Sequence, residues 1–73
     1  MREWLKALRK EVGKTQKEMG KALGMTEAYY CLIEKGNRKK CLDASLLAKI
    51  AEATGAEFTT LCINELEWRR NRG

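Results

Sequence analysis

The sequence has no histidine, no proline and only three cysteines among its 73 residues. Without histidine, the chain lacks the side chain that most often serves as a general base or as a neutral metal ligand near pH 7. Without proline, it has no polyproline segment of the kind that SH3 domains bind. A chain this short also leaves little room for a buried substrate cavity. We therefore expect no catalytic residue, no metal site, no cofactor and no small-molecule ligand.

The cysteines, Cys31, Cys41 and Cys62, are irregularly spaced, and no CxxC pair occurs. Zinc sites in small domains need closely spaced pairs of ligands, which this sequence does not offer. We interpret the three as small apolar side chains, buried or half-buried, in a reducing compartment. A redox switch stays open as the alternative.

Long apolar runs are also missing. No stretch approaches the length of a membrane span, and the N-terminal residues MREWLKALRK have no apolar signal-peptide segment. We expect a cytoplasmic protein without a membrane partner.

Helix-forming residues dominate the composition. Leucine and alanine, nine and eight, far outnumber the four valines and isoleucines together. Leucine and alanine favour helices, whereas β-branched residues favour strands. An apolar content of 44% is enough for a hydrophobic core. We predict a compact all-α fold in one domain that spans residues 1–73.

Glycines divide the chain into five short amphipathic segments. The first begins near Trp4 and ends before Gly13. The second begins with the T-x-x-E capping box of Thr15 and Glu18, in which each side chain accepts a hydrogen bond from a free backbone amide of the helix start. Caps and glycines mark the remaining boundaries: Thr26 and Gly36 for the third segment, Asp43 and Gly55 for the fourth, and about 57–73 for a C-terminal segment of uncertain length.

The join between the second and third segments carries the functional signal. Gly20 is small enough to let two helices cross closely, and Gly24 can adopt the positive φ that a tight bend needs. Met19, Leu23 and Ile33 stand at spacings that hold the crossed pair from inside. This pattern, over about residues 16–35, is typical of a helix-turn-helix, whose second helix lies in the major groove of DNA.

Three stretches resemble one family over most of the chain, from about Leu5 to Leu61. They read L-K-A-L-R-K-E-V-G-K-T-Q-K-E-M-G, then G-M-T-E-A-Y-Y-C-L-I-E-K-G, then L-L-A-K-I-A-E-A-T-G-A-E-F. Together they are similar to the Xre/Cro, or λ-repressor-like, helix-turn-helix regulators. The resemblance implies a five-helix domain that binds double-stranded DNA. It also implies that Arg9 and Glu34 form an ion pair between the first and third helices.

The docking geometry of a helix-turn-helix nominates the DNA contacts. Base edges are within reach of the start of the third helix and of the residues one turn further on, which gives the candidates Thr26, Glu27, Ala28, Tyr29 and Leu32. Phosphate contacts would come from residues around this helix, namely Gln16, Lys17, Lys35, Asn37, Arg38, Lys39 and Lys40. No Arg or Lys lies between Thr26 and Glu34, so base reading would rest on uncharged residues and one glutamate.

Charge is divided along the chain. Residues 1–40 carry a net +6, residues 41–68 a net −4, and the last five residues +3, which gives the overall +5. The division fits a basic face for DNA and a second face for another contact. Phe58, Leu61, Leu66 and Trp68 are candidates for a homodimer interface. The alternative, that they only close the core of one chain, stays open.

We therefore expect a sequence-specific DNA-binding regulator rather than an enzyme. The expected type is a small repressor of the phage or mobile-element kind that acts by occupying an operator. The alternative is a protein-interaction module, either antitoxin-like or a helix-turn-helix fold without a DNA role.

Overall fold

The computed structural model describes residues 1–36 and 42–71, in which five helices and no strand occur. The helices are α1 (Glu3–Glu11), α2 (Gln16–Ala22), α3 (Glu27–Lys35), α4 (Ala44–Thr54) and α5 (Phe58–Asn71). The predicted all-α class is thereby confirmed. Cys41 lies outside the described residues.

Side-chain caps begin three of the helices. In the capping box of α2, the Glu18 N–H donates to the Thr15 hydroxyl (3.1 Å), and the Thr15 N–H donates to the Glu18 carboxylate (2.8 Å). The Thr26 hydroxyl caps α3 by accepting from the Tyr29 N–H, and the Asp43 carboxylate caps α4. The predicted capping box and both further caps are confirmed.

The core lies where the five helices meet. Its buried hydrophobic side chains come from every helix, from the C-cap residue of α2 and from the residue before Asp43: Leu5, Met19, Leu23, Tyr30, Ile33, Leu42, Leu46, Leu47, Ile50 and Leu61. Tyr30 and Ile33 turn one face of α3 into this core, which leaves the opposite face of α3 toward solvent. In the part of the chain that the structure describes, no helix is both long and apolar enough to cross a membrane.

Candidate nucleic-acid interface

The tight crossing of α2 and α3 sets the geometry of the candidate interface. Gly24 has a φ of +73°, and the Met25 N–H donates back to the Gly20 carbonyl at 2.8 Å. A Cβ atom on Gly20 would lie 3.1 Å from the carbonyl oxygens of Met25 and Thr26. Because those atoms belong to the backbone that starts α3, any larger side chain at position 20 would push the two helices apart.

The first turn of α3 lies at the surface. Thr26, Glu27 and Ala28 are exposed, whereas Tyr29 and Leu32 are half-buried and Tyr29 packs against the core. The five candidates for base contact therefore do not form one uniform surface. Thr26, Glu27 and Ala28 are exposed at the start of the helix. Tyr29 and Leu32 lie further along it, and each is partly buried.

Cys31 also lies on the outward face of α3, and it was not among the predicted contact residues. It is half-buried, four residues after Glu27 and four before the exposed Lys35. Residues four apart share one face of a helix. This spacing is visible in the sequence, but neither interpretation of the cysteines, as small apolar side chains or as a redox switch, considers a place on this face. Cys31 and Cys62 are free thiols in the structure.

An ionic network fixes α3 against the two preceding helices. The Arg9 guanidinium donates to the Glu34 carboxylate, with Nε 2.9 Å from Oε2 and a second nitrogen 3.3 Å from Oε1. The Gln16 side-chain amide donates to the same carboxylate at 3.1 Å. Glu34 is 1% exposed, so one buried carboxylate connects α1, α2 and α3.

Two pKa values respond to this network. Burial acts to raise the pKa of Glu34, but the hydrogen bonds from Arg9 and Gln16 outweigh it, and the pKa lies below its usual value. The buried Tyr30 side chain lies beside the pair, and its pKa is raised, first by burial and then by the neighbouring Glu34. The carboxylate is therefore held in its charged form and the phenol in its neutral form.

The candidates for phosphate contact separate into three groups. Lys17 on α2 and Lys35 at the end of α3 are both exposed. Gln16 is half-buried, and its side chain is occupied by Glu34. Asn37, Arg38, Lys39 and Lys40 lie outside the described residues.

An open groove of about 280 Å³ runs beside the first turn of α3. It is lined by Met25 and Tyr29, and by Asp43, Ser45 and Lys49 from α4 and its N-cap. No cluster of three potential metal ligands occurs within residues 1–36 and 42–71.

The dimer candidates on α5 differ in exposure. Phe58 and Leu66 are 40% and 49% exposed, whereas Leu61 is 1% exposed and belongs to the core of its own chain. Trp68 is half-buried, and its indole N–H donates to the Met1 carbonyl at 2.7 Å. Ile63, which was not among the candidates, is 52% exposed. Leu61 therefore fits the alternative interpretation, in which these residues close the core of one chain.

Comparison with known proteins gives one family and one relative. A sequence model of the helix-turn-helix family matches residues 5–61. The chain is 46% identical over 59 residues to an uncharacterised HTH-type transcriptional regulator, YqaF, of Bacillus subtilis (strain 168); the match covers 81% of this chain and 75% of that protein. No solved structure matches the chain.

Proposed function

This chain belongs to the helix-turn-helix family, and on that premise we propose that it is a DNA-binding transcriptional regulator that represses by occupying an operator. The relative YqaF is named as a transcriptional regulator, which supports a regulatory rather than an enzymatic role. We propose that residues 1–73 act as one DNA-binding domain, of the small repressor type found in phages and mobile elements. Its mechanism is steric, because the bound protein blocks the polymerase.

The observation that carries the proposal is the opposite placement of the two faces of α3. Tyr30 and Ile33 anchor one face in the core, while Glu27 and Ala28 stand exposed on the first turn. In a helix-turn-helix, this turn meets the base edges in the major groove. The Glu27 carboxylate accepts a hydrogen bond from a cytosine amino group, and the Ala28 methyl group contacts a thymine methyl group.

Affinity comes from the phosphate backbone. Lys17 and Lys35 are exposed near the start of α2 and at the end of α3, the two helices of the helix-turn-helix. Each neutralised phosphate releases counterions, which makes binding dependent on salt. Arg38, Lys39 and Lys40 follow α3 in the sequence, and on that ground we propose them as further phosphate contacts.

We also propose that the chain acts as a homodimer through α5. Phe58, Ile63 and Leu66 are three of the five large hydrophobic side chains that are exposed among the described residues. Ile63 and Leu66 are three positions apart and share a helix face, which a second copy would cover by two-fold pairing of α5. Such a dimer places two α3 helices on half-sites about one DNA turn apart.

Sedimentation at micromolar concentration tests the dimer. The wild-type chain should sediment as a dimer, and Leu66→Glu should sediment as a folded monomer. Glu67→Gln, an exposed change on the same helix, is the control and should leave the dimer intact. A wild-type chain that remains monomeric with and without DNA would remove this part of the proposal.

A specific feature favours a second candidate function, a protein-interaction module. The exposed start of α3 carries a glutamate and no cation before Lys35. Titration of labelled duplex DNA between 50 and 200 mM salt separates the two functions. A DNA-binding protein that contacts several phosphates should lose affinity by about tenfold or more over this range. Binding that is absent at low salt, or insensitive to salt, would favour the protein-interaction module.

A further inference from the structure

A buried ion pair joins the N-terminal residues to α5. Arg2 is 0% exposed, and its guanidinium forms a fork on Glu65, with Nε 3.0 Å from Oε1 and Nη2 3.1 Å from Oε2. The side chain of Glu65 is only 3% exposed. The two residues are 63 positions apart in the chain. The pair therefore brings the N-terminal residues and α5 into direct contact inside the molecule.

The same arginine caps the C-terminal end of α3. Its third guanidinium nitrogen, Nη1, donates to the Ile33 carbonyl at 2.6 Å, and its backbone N–H donates to the Glu34 carbonyl at 2.8 Å. The last carbonyls of a helix have no partner within the helix, and a cation is favoured beside them. Arg2 thus supplies two donors and a positive charge at the end of α3 that is furthest from Glu27.

Further contacts from α5 fix the position of Arg2. The Trp68 ring lies 4.1 Å from the guanidinium carbon of Arg2, a cation–π arrangement. Gly36, the αL cap of α3, lies against the same ring, since a Cβ atom there would be 2.9 Å from a Trp68 ring carbon. Glu65 also accepts from the Leu42 N–H at 3.0 Å. Contacts with α5 therefore surround the end of α3.

A fully buried ion pair has a large desolvation cost, which offsets much of the stability that it gives. Well-packed apolar residues often give equal or better stability, because both charges must be taken out of water. What the fork adds is direction, since the planar guanidinium fixes the angle at which its partners meet. We propose that Arg2, held by Glu65 and Trp68, is a positioning residue that sets the orientation of α3 relative to α5.

A small tilt of α3 at its Arg2 end would produce a larger displacement of its first turn, which carries the proposed base contacts. α3 has nine residues and is therefore about 13 Å long. A tilt of about 10° around its C-terminal end would move the first turn by about 2 Å, which exceeds the range over which a hydrogen bond to a base edge survives. Placement of Glu27 and Ala28 on the bases therefore depends on Arg2. This last step rests on the proposed function.

The test compares three variants with wild type. Arg2→Lys keeps the charge but loses the fork, so it should remain folded. The double variant Arg2→Met with Glu65→Leu replaces the pair by apolar side chains and should recover stability without recovering the directed contacts to Ile33 and Leu42. Ile50→Val, a small loss in the core on α4, is the control for lowered stability alone.

Two readouts are measured on folded protein. The first is hydrogen exchange of the amides at Lys35 and Gly36, which should speed up at least fivefold in Arg2→Lys and in the double variant, relative to Ile50→Val. The second is the ratio of affinities for a selected DNA site and a scrambled one. That ratio should fall about tenfold in both Arg2 variants, while the dependence on salt stays that of wild type.

The outcomes distinguish positioning from stability. If the affinity ratio recovers in the double variant together with stability, or if Arg2→Lys leaves the ratio unchanged, the proposal is overturned. A wild-type chain with no preferred DNA site would refute the proposed function instead. In that case the exchange rates alone test the role of Arg2 in positioning α3. Unchanged rates at Lys35 and Gly36 would overturn that role, and faster rates would support it.

Discussion

Arg9 and Glu34 lie 25 positions apart in the chain, yet their side chains meet with the Arg9 Nε 2.9 Å from the Glu34 Oε2. Arg9 also donates to the Lys14 carbonyl at 3.0 Å, in the turn that leads to α2. The guanidinium therefore contacts α3 and the connection before α2 together. Since α1 itself carries none of the candidate DNA contacts, its role in this arrangement is to hold the other two helices at a fixed angle.

A double-mutant cycle tests this pair. Arg9→Met and Glu34→Gln should each destabilise the chain by about 2–4 kcal/mol, because each leaves a charge or its hydrogen-bonding partner buried without compensation. The double variant should be more stable than the sum of the two losses indicates, with a coupling of about 1–3 kcal/mol. Urea unfolding measures all four proteins. Strictly additive losses would show that the two residues act independently.

Stability should fall in acid. The pKa of Glu34 is lowered in the folded chain, because the hydrogen bonds from Arg9 and Gln16 outweigh its burial. The pKa of Glu18 is lowered as well, through its hydrogen bonds with Thr15. The unfolded chain then takes up protons at a higher pH than the folded one. The stabilisation is therefore complete above the unfolded value of about 4.3 and is lost as the pH falls through the lower folded values.

Unfolding free energies between pH 7 and pH 2 check this expectation. Glu34→Gln should reduce the slope below about pH 4.3, since it removes a carboxyl whose pKa is lowered in the folded chain. Glu52→Gln, an exposed change on α4, removes the same charge and is the matched control. A slope that is the same in Glu34→Gln and in wild type would contradict the assignment.

Enlarging Gly20 should loosen the helix pair. The Cβ atom of Gly20→Ala meets two carbonyl oxygens at 3.1 Å, and Gly20→Val adds two methyl groups in the same space. We expect Gly20→Val to cost about 1–3 kcal/mol, and Gly20→Ala less, because alanine gains about 1 kcal/mol in helix propensity. Lys21→Ala, exposed on the same helix, should change stability by less than about 0.5 kcal/mol. A fully stable Gly20→Val would show that the crossing has room to spare.

The parts of the fold that the sequence predicted are those with a local physical cause. Thr15 and Glu18 are three residues apart, so the capping box could be identified from four consecutive letters. Thr26 and Asp43 were equally visible, because an oxygen-bearing side chain before an apolar helix satisfies the free amides of its first turn. Apolar spacing likewise indicated the face of α3 that carries Ile33.

Arg2 and Glu65 could not be predicted in this way. Arg2 precedes the first apolar residue of α1 and is an ordinary charged residue in sequence terms, and nothing local marks it as fully buried. Its partner is 63 residues away, on a helix whose inward face mixes Leu61 with Glu65 and Trp68. For the same reason Leu61 and Trp68 were grouped with Phe58 as candidates for a dimer interface. The packing of α5 distinguishes them, because it buries Leu61 and part of Trp68 and leaves Phe58 exposed.

Removing two exposed lysines should weaken binding to all DNA alike. Lys17→Ala together with Lys35→Ala removes two contacts to phosphate, which carries no information about sequence. The slope of log affinity against log salt should become shallower by about 2, and the preferred site should stay the same. Lys49→Ala, on α4, removes one positive charge where the double variant removes two, and it serves as a control for the effect of net charge per lysine removed. If the double variant changes the preferred site, these lysines have been assigned to the wrong kind of contact.

Selection of bound sites from a random duplex pool tests whether the first turn of α3 reads the DNA sequence. Wild type and Glu27→Ala are taken through the selection side by side, and the enriched sites are sequenced. We expect one enriched motif for wild type, in which the preference for cytosine at one position is lost in Glu27→Ala while the flanking positions remain. No enriched motif for wild type, or an identical motif for both proteins, would contradict it.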